Sequence, residues 1–188
     1  MALQKHEDFD GTKFKELILY IARKCEGDTA FGATKLNKVL FFSDFAAYRQ
    51  LGMPITGARY QALRNGPAPR QLIPVRQEME RDGEIVELRR TYFGRLQKRL
   101  VAKREPNLRP FTGSEIAIVD AVIEDFEALN ATELSGLSHD FVGWKYAALE
   151  EDIPYETALL TIGKVTPALI ERGRELNRTY KWTARSEK

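Results

Sequence analysis

Three consecutive residues, Ser138, His139 and Asp140, are the types that hydrolases use as nucleophile, base and orienting acid. Consecutive side chains point in diverging directions, so these three cannot align for proton transfer. Cys25 is a second candidate nucleophile with His139 as its base, but it falls on an apolar helical stripe where a thiolate is poorly solvated. We therefore expect His139 to be a hydrogen-bonded packing residue and Cys25 to be inert.

A carboxylate within an apolar helix and a glycine pair are the remaining candidates for chemistry. Gly27 and Gly32 have the spacing of a phosphate-binding loop, but Ala33 stands where that motif requires lysine. Asp44 lies in a largely apolar helix, where a carboxylate must be paired, solvent-facing or perturbed for function. We interpret Asp44 as a structural anchor to a backbone donor or an arginine, because it has no identifiable catalytic partner.

The composition of the 188 residues, 43% hydrophobic and 30% charged, is that of a soluble globular protein. We expect one domain over residues 1–181 and a flexible tail over residues 182–188. No apolar run approaches the roughly 20 residues of a membrane helix, and residues 1–10 lack the apolar region of a secretory signal, so a cytoplasmic location is expected. One cysteine and two histidines exclude an internal disulfide and argue against a zinc site, so we expect no cofactor.

Apolar spacing predicts the helices that position these residues. A first helix is expected over residues 12–25 and a second from its N-cap Thr34 to Gly52, apolar nearly all round and therefore central. Residues 58–63 read as extended, and residues 65–69 as a rigid proline turn. A third helix ends at Gly83, and Pro74 limits how early it begins.

The second half of the chain is acidic and helical. Between residues 113 and 156, eleven acidic residues accompany one basic residue. Thr112 and Glu115 form a capping-box pattern that opens a helix. We expect Thr132 to cap a short helix, Ser138 to cap the next, and Thr166 with residue 167, a proline, to open a final helix.

Residues 84–90 and 95–102 alternate as the strands of a β-hairpin, with apolar contacts expected from positions that include Leu88 and Leu96. Residues 84–104 contain seven basic and two acidic residues, a basic surface suited to DNA or to an acidic protein. The same charges also protect strand edges from aggregation. The residues expected to contact a partner are Arg89, Arg90, Tyr92, Phe93, Arg95 and Arg99.

The predicted fold is a single α+β domain, mainly α-helical, with a small antiparallel sheet against the first three helices. The order helix, helix, strand, helix and basic hairpin is similar to that of a winged helix. A DNA-binding regulator that uses the hairpin is therefore an alternative function.

Three segments follow one another with a characteristic spacing. The first, residues 35–45, has a lysine-leucine start and an aromatic helix; the second spans residues 54–60 and 65–69; the third runs from residue 137 to residue 156. They contain the motif residues Lys35, Leu36, Asp44, Gly57, Tyr60, Gly66, Pro67, His139 and Trp144. In this order, across residues 33–156, the chain resembles the Panacea domain, the SocA-like antitoxin family that includes phage-associated proteins.

The resemblance implies a cytoplasmic antitoxin of a toxin-antitoxin system that neutralises a cognate toxin by direct contact, in some members as an adaptor that delivers the toxin to a protease. Family members pair with many unrelated toxins, and the oligomeric state stays open. We expect no enzymatic activity. The motif residues are expected to be structural: Gly57 and Gly66 permit turns, Pro67 stiffens one, and Tyr60 and Trp144 fill the core.

Overall fold

A computed structural model describes residues 9–160 of the chain. In this part, six α-helices accompany two antiparallel sheets of two strands each, and a 3₁₀ helix lies at Tyr155–Leu159. The expected mainly helical α+β class is confirmed. None of the helices between residues 9 and 160 is long and apolar enough to cross a membrane. The final helix and tail expected from the sequence fall outside the described residues.

Helices α1 (Gly11–Lys24) and α2 (Ala33–Leu51) form the centre of the fold. Helix α1 begins where the Asp10 side chain accepts a hydrogen bond of 2.9 Å from the backbone N–H of Lys13. Its apolar face is buried, and Cys25, which follows the helix, is buried with it. Helix α2 packs against α1 and against elements from every later part of the described chain, as its all-round apolar pattern predicts.

The ends of α2 differ in how well the sequence predicts them. Thr34 is not the N-cap, because the helix already begins at Ala33, after the extended residue Gly32, and no side chain caps it. The other end is confirmed: Gly52 ends the helix with φ +81°, a left-handed conformation that favours glycine.

The segment predicted as a rigid proline turn is a strand. Strand β1 (Tyr60–Leu63) pairs antiparallel with β2 (Gly66–Pro69), and only two residues connect them. Gly66 and Ala68 of β2 are at positions that form hydrogen bonds with β1, and Pro67 and Pro69 are at the alternate positions. At those positions the backbone N–H points away from β1, so the strand tolerates proline there. The prediction of a turn was wrong because, within residues 9–160, β2 has no second partner strand, so its outward-pointing N–H positions can be occupied by proline.

Helix α3 (Leu72–Arg81) leads into a longer hairpin formed by β3 (Ile85–Tyr92) and β4 (Arg95–Ala102). Pro74 lies in the first turn of α3 and does not delay the start of the helix. The N–H groups of a first turn have no acceptor within the helix, so a proline there costs no hydrogen bond. The hairpin confirms the sequence prediction. Its two-residue loop, Phe93 and Gly94, has φ +46° and +74°, positive at both positions as in a type I′ turn.

Only the base of the long hairpin packs into the core. Ile85 and Leu100 are buried there, beside α1 and α3. Leu88 and Leu96, which we expected to supply apolar contacts of the hairpin, are exposed. The hairpin tip, defined here as residues 91–96, therefore extends beyond the core.

The acidic half contains α4 (Gly113–Phe126), α5 (Ala131–His139) and α6 (Val142–Tyr146). The capping box at the start of α4 is confirmed, with the Glu115 N–H donating to the Thr112 hydroxyl at 3.2 Å and the Thr112 N–H donating to the Glu115 carboxylate at 2.7 Å. Ser138 does not cap α6, because its hydroxyl donates to a carbonyl within α5.

Helix α5 is capped by Asn130 and not by Thr132. The Asn130 side chain accepts hydrogen bonds from the N–H groups of Thr132 and Glu133, at 2.9 and 3.1 Å. The Glu133 carboxylate accepts the Asn130 N–H in return at 2.8 Å, which completes a second capping box.

Replacing the true cap should destabilise the protein more than replacing the predicted one. We expect Asn130→Ala to lower the free energy of unfolding by about 1 kcal/mol, because two N–H groups lose their acceptor. Thr132→Ala, in the exposed first turn, should change it by less than about 0.5 kcal/mol. Urea denaturation of both variants measures the difference, and equal losses would contradict this assignment.

Candidate functional site

Residues from the three motif segments meet at the turn between β1 and β2. The Lys38 ammonium donates to the carbonyl oxygens of Asn65, at 2.7 Å, and Pro67, at 3.3 Å. The Trp144 indole N–H donates to the carbonyl of Leu63 at 3.0 Å. Side chains from α2 and α6 therefore hold the backbone of one short turn.

Gly66, in the same turn, leaves no room for a side chain. A Cβ atom at this position would lie 2.2 Å from the Ser138 Oγ and 2.3 Å from the Lys38 Nζ. Its φ of +94° also favours glycine. Gly66 thus permits the turn, as expected, and additionally lets α2 and α5 approach the turn closely.

Lys38 is a buried amine whose hydrogen-bond acceptors are neutral. Its side chain is buried, and within residues 9–160 it forms no ion pair with a carboxylate. Burial lowers the pKa of Lys38 to about 7, because desolvation disfavours the charged form.

Lys35, one helical turn before Lys38, binds two other connections. Its ammonium lies 2.7 Å from the Asp28 carboxylate, in the loop between α1 and α2. It also donates to the carbonyls of Glu127 and Leu129, at 3.2 and 3.0 Å, in the loop between α4 and α5. Leu36 is buried beside it in the core.

Asp44 binds the connection that follows α2. Its carboxylate accepts hydrogen bonds from the Thr56 N–H at 2.8 Å, the Thr56 hydroxyl at 2.6 Å and the Tyr60 hydroxyl at 2.7 Å. Burial raises the pKa of Asp44, and these donors oppose the shift. Asp44 therefore anchors a backbone donor, which is the structural role expected from the sequence. The same environment raises the pKa of the Tyr60 hydroxyl well above its usual range.

The residues with nucleophile and base chemistry have structural contacts. The Ser138 hydroxyl donates to the Ser135 carbonyl at 2.8 Å. The His139 ring stacks on Trp144 with centroids 3.9 Å apart, so His139 packs as expected. Its Nε2 atom, however, is buried without a hydrogen-bond partner among residues 9–160. Burial raises the pKa of the Cys25 thiol to about 11, which keeps it protonated and poorly reactive at neutral pH.

The six hairpin residues expected to contact a partner lie in different environments. Arg89 is exposed and pairs with Glu87 at 3.1 Å. Arg90 donates to the Gln97 side chain at 2.8 Å and to the Thr29 carbonyl at 3.2 Å. Tyr92 and Phe93 meet edge to face at the tip, with ring centroids 4.7 Å apart, and Arg95 begins β4.

Arg99 lies inside the protein and is not available to a partner. Only 6% of it is exposed. Its guanidinium donates to three carbonyls after α1, those of Cys25 at 3.0 Å, Asp28 at 2.6 Å and Glu26. The end of α1 leaves carbonyl groups without helical donors, and the five N–H groups of a guanidinium suit several of them at once.

Part of the positive charge of residues 84–104 is paired with carboxylates of the fold. Arg104 forms a bidentate pair with Glu16 in α1, at 2.8 and 2.9 Å, and a further contact of 2.7 Å with Glu84. These carboxylates raise the pKa of Arg104 above its usual range. Arg89, Arg90, Lys98 and Lys103 are exposed.

A groove of about 700 Å³ lies between the hairpin tip and the first residues of α2 and α5. Its lining includes Tyr92, Phe93, Leu96 and Lys98 from the hairpin. From the sequence, Phe93 was expected to contact a partner, whereas Leu96 was expected to make apolar contacts of the hairpin and the start of α2 was given no part in binding. The sequence signal that could have indicated this exposed site is the Phe93-Gly94 loop, because asparagine is the usual residue before glycine in such a turn.

The family model described as antitoxin SocA-like, Panacea domain, matches residues 36–145, more than half of the chain. The chain belongs to this family. It matches no curated protein and no solved structure. The matched Panacea region starts inside α2, ends in α6 and includes both hairpins. The resemblance inferred from the motif residues is thereby confirmed.

The buried amine of this Panacea domain should give it a characteristic pH dependence. Lys38 has a pKa of about 7 when folded, against 10.5 ordinarily, so between these values the unfolded state binds more protons. The free energy of unfolding should therefore rise from pH 7 to pH 10.5 by up to about 1.4 kcal/mol per pH unit from this group, and stay flat below pH 7.

Comparing wild type with Lys38→Met at each pH isolates this contribution from those of other titrating groups. Their difference in free energy of unfolding, measured with urea, should change across the window from pH 7 to pH 10.5. Lys103→Met, at an exposed lysine, is the matched control and should show no such change. A pH-independent difference for Lys38→Met would refute the shift.

Arg99 and Arg89, two of the four arginines expected to contact a partner, should differ in their effect on stability. Arg99→Leu leaves three carbonyls without their donor and should lower the free energy of unfolding by about 2–4 kcal/mol. Arg89→Leu, at an exposed pair, should change it by less than about 0.5 kcal/mol. Chemical denaturation of both variants tests this, and a neutral Arg99→Leu would contradict the buried placement.

Proposed function

We propose that this chain is an antitoxin that neutralises a cognate toxin by direct binding, without catalysis. The match of residues 36–145 to the SocA-like antitoxin family carries the proposal. Inhibition by contact requires a complementary surface with a few anchor residues and no proton-transfer machinery.

The contacts of the motif residues support a binding role over an enzymatic one. Lys38, Asp44 and Ser138, three of the ionisable and nucleophilic groups in the motif segments, are each buried and bonded to the fold. A substrate would have to displace these bonds to reach them. The motif is better explained as the framework that holds a binding surface.

The cations of the long hairpin favour a protein partner over DNA. Phosphate binding relies on lysine and arginine groups that are free to neutralise the backbone. Here Arg90 and Arg99 donate to protein carbonyls, and Arg104 pairs with carboxylates. Phe93 and Leu96, in contrast, expose apolar surface of the kind that a protein interface covers.

Co-expression with the product of the neighbouring gene tests the proposal. We expect that product to arrest growth when expressed alone, and this chain to restore growth and to co-purify with it. Gly66→Val is the matched negative control, because its side chain would collide with Ser138 and Lys38 and prevent folding. An immunoblot that measures toxin abundance distinguishes two mechanisms. Occlusion leaves the abundance of the toxin unchanged, whereas delivery to a protease lowers it.

A neighbouring toxin that stays toxic while this chain is soluble and abundant would contradict the proposal. The DNA-binding alternative predicts salt-sensitive binding to duplex DNA that Arg89→Ala and Arg90→Ala weaken. A gel-shift titration at low salt measures it directly.

A further inference from the structure

Phe93 occupies a position that folding does not favour for phenylalanine. Its φ is +46°, and 88% of the residue is exposed. A left-handed conformation is unfavourable for an ordinary L-residue, and an exposed ring gains no burial in return. Asparagine is preferred at this place in a two-residue turn. A role in binding accounts for the aromatic ring where a role in folding does not.

Phe93 belongs to an apolar wall of the groove. Leu96 lines the same groove and is 66% exposed, and Tyr92 contacts the Phe93 ring edge to face. Large apolar and aromatic side chains clustered at one exposed place are typical anchors of protein interfaces.

The rest of the groove lining is mainly polar, with lysine as its charged residue type. None of the residues that line it is acidic, and Lys98 is exposed at its edge. Ala33 and Thr34, the first residues of α2, also line it, and no side chain caps this helix. The uncapped N–H groups of a helix start carry a partial positive charge that favours carboxylates. In α5, by contrast, Asn130 already occupies the cap.

We propose that the groove binds an acidic segment of the cognate toxin that carries a large apolar side chain. The apolar side chain packs against Phe93 and Leu96, while carboxylates lie near Lys98 and the start of α2. This assignment rests on the proposed antitoxin function for the identity of the partner. The chemistry of the groove selects the segment.

A library of random peptides, about 12 residues long and displayed on phage, probes the groove of the full chain without the toxin. We expect the enriched peptides to combine aspartate or glutamate with aromatic or aliphatic residues. Synthetic copies should lose affinity by about tenfold or more for Leu96→Asp. Ile73→Asp on α3 is the matched control, since Ile73 is 68% exposed outside the groove, and it should bind like wild type.

A second variant separates lost binding from lost folding. Phe93→Asn removes the ring but supplies the residue that this turn prefers, so its melting temperature should equal or exceed that of wild type. It should nevertheless lose peptide affinity. Peptides without acidic enrichment, or with equal affinity for Phe93→Asn and wild type, would overturn the inference.

The same variants with the toxin distinguish the two proposals. If Phe93→Asn and Leu96→Asp neutralise the toxin as well as wild type does, the proposal that the groove binds the toxin is refuted and the proposed antitoxin function stands. If no neighbouring toxin is neutralised while acidic peptides bind the groove, the antitoxin function fails and the groove chemistry stands. If the chain instead dimerises or binds DNA, and Phe93→Asn and Leu96→Asp abolish that interaction, the choice of the toxin as partner is overturned.

Discussion

Desolvation of three ionisable side chains on α2 is the constraint on which the fold depends. Lys35, Lys38 and Asp44 are all buried, and an unpaired charge or polar group there would be strongly destabilising. Each is satisfied by backbone groups of a different connection: the loop before α5, the turn between β1 and β2, and the loop after α2. The central helix thereby fixes the loops around it through hydrogen bonds as well as apolar packing.

This arrangement gives the polar residues of the family motif structural contacts with the connections around α2. Ser138 and Trp144 complete the same network around the turn that Lys38 binds. The exposed groove lies elsewhere, at the hairpin tip, and shares few residues with that network. Because the groove and the buried network are largely separate, residues of the groove can change without leaving buried polar groups unsatisfied.

Charge along the sequence is a poor guide to charge on the surface of this protein. The long hairpin is rich in arginine, but Arg99 and Arg104 bind groups of the fold itself. A guanidinium can satisfy several carbonyl or carboxylate oxygens at once, so arginine serves well as a structural donor between elements. The tip exposes mainly apolar surface, from Phe93 and Leu96, with the exposed Lys98 nearby.

The sequence by itself determined the features that depend on neighbouring residues: the apolar periodicity of α1 and α2, the capping box of α4, the long hairpin and the family membership. The sequence did not predict strand β2, because the spacing of the prolines does not reveal which backbone N–H positions lack a partner. It also could not place Arg99 or Leu96, one buried and the other exposed against expectation. Only the tertiary structure decided these, because burial and the choice of hydrogen-bond partner depend on groups distant in the chain.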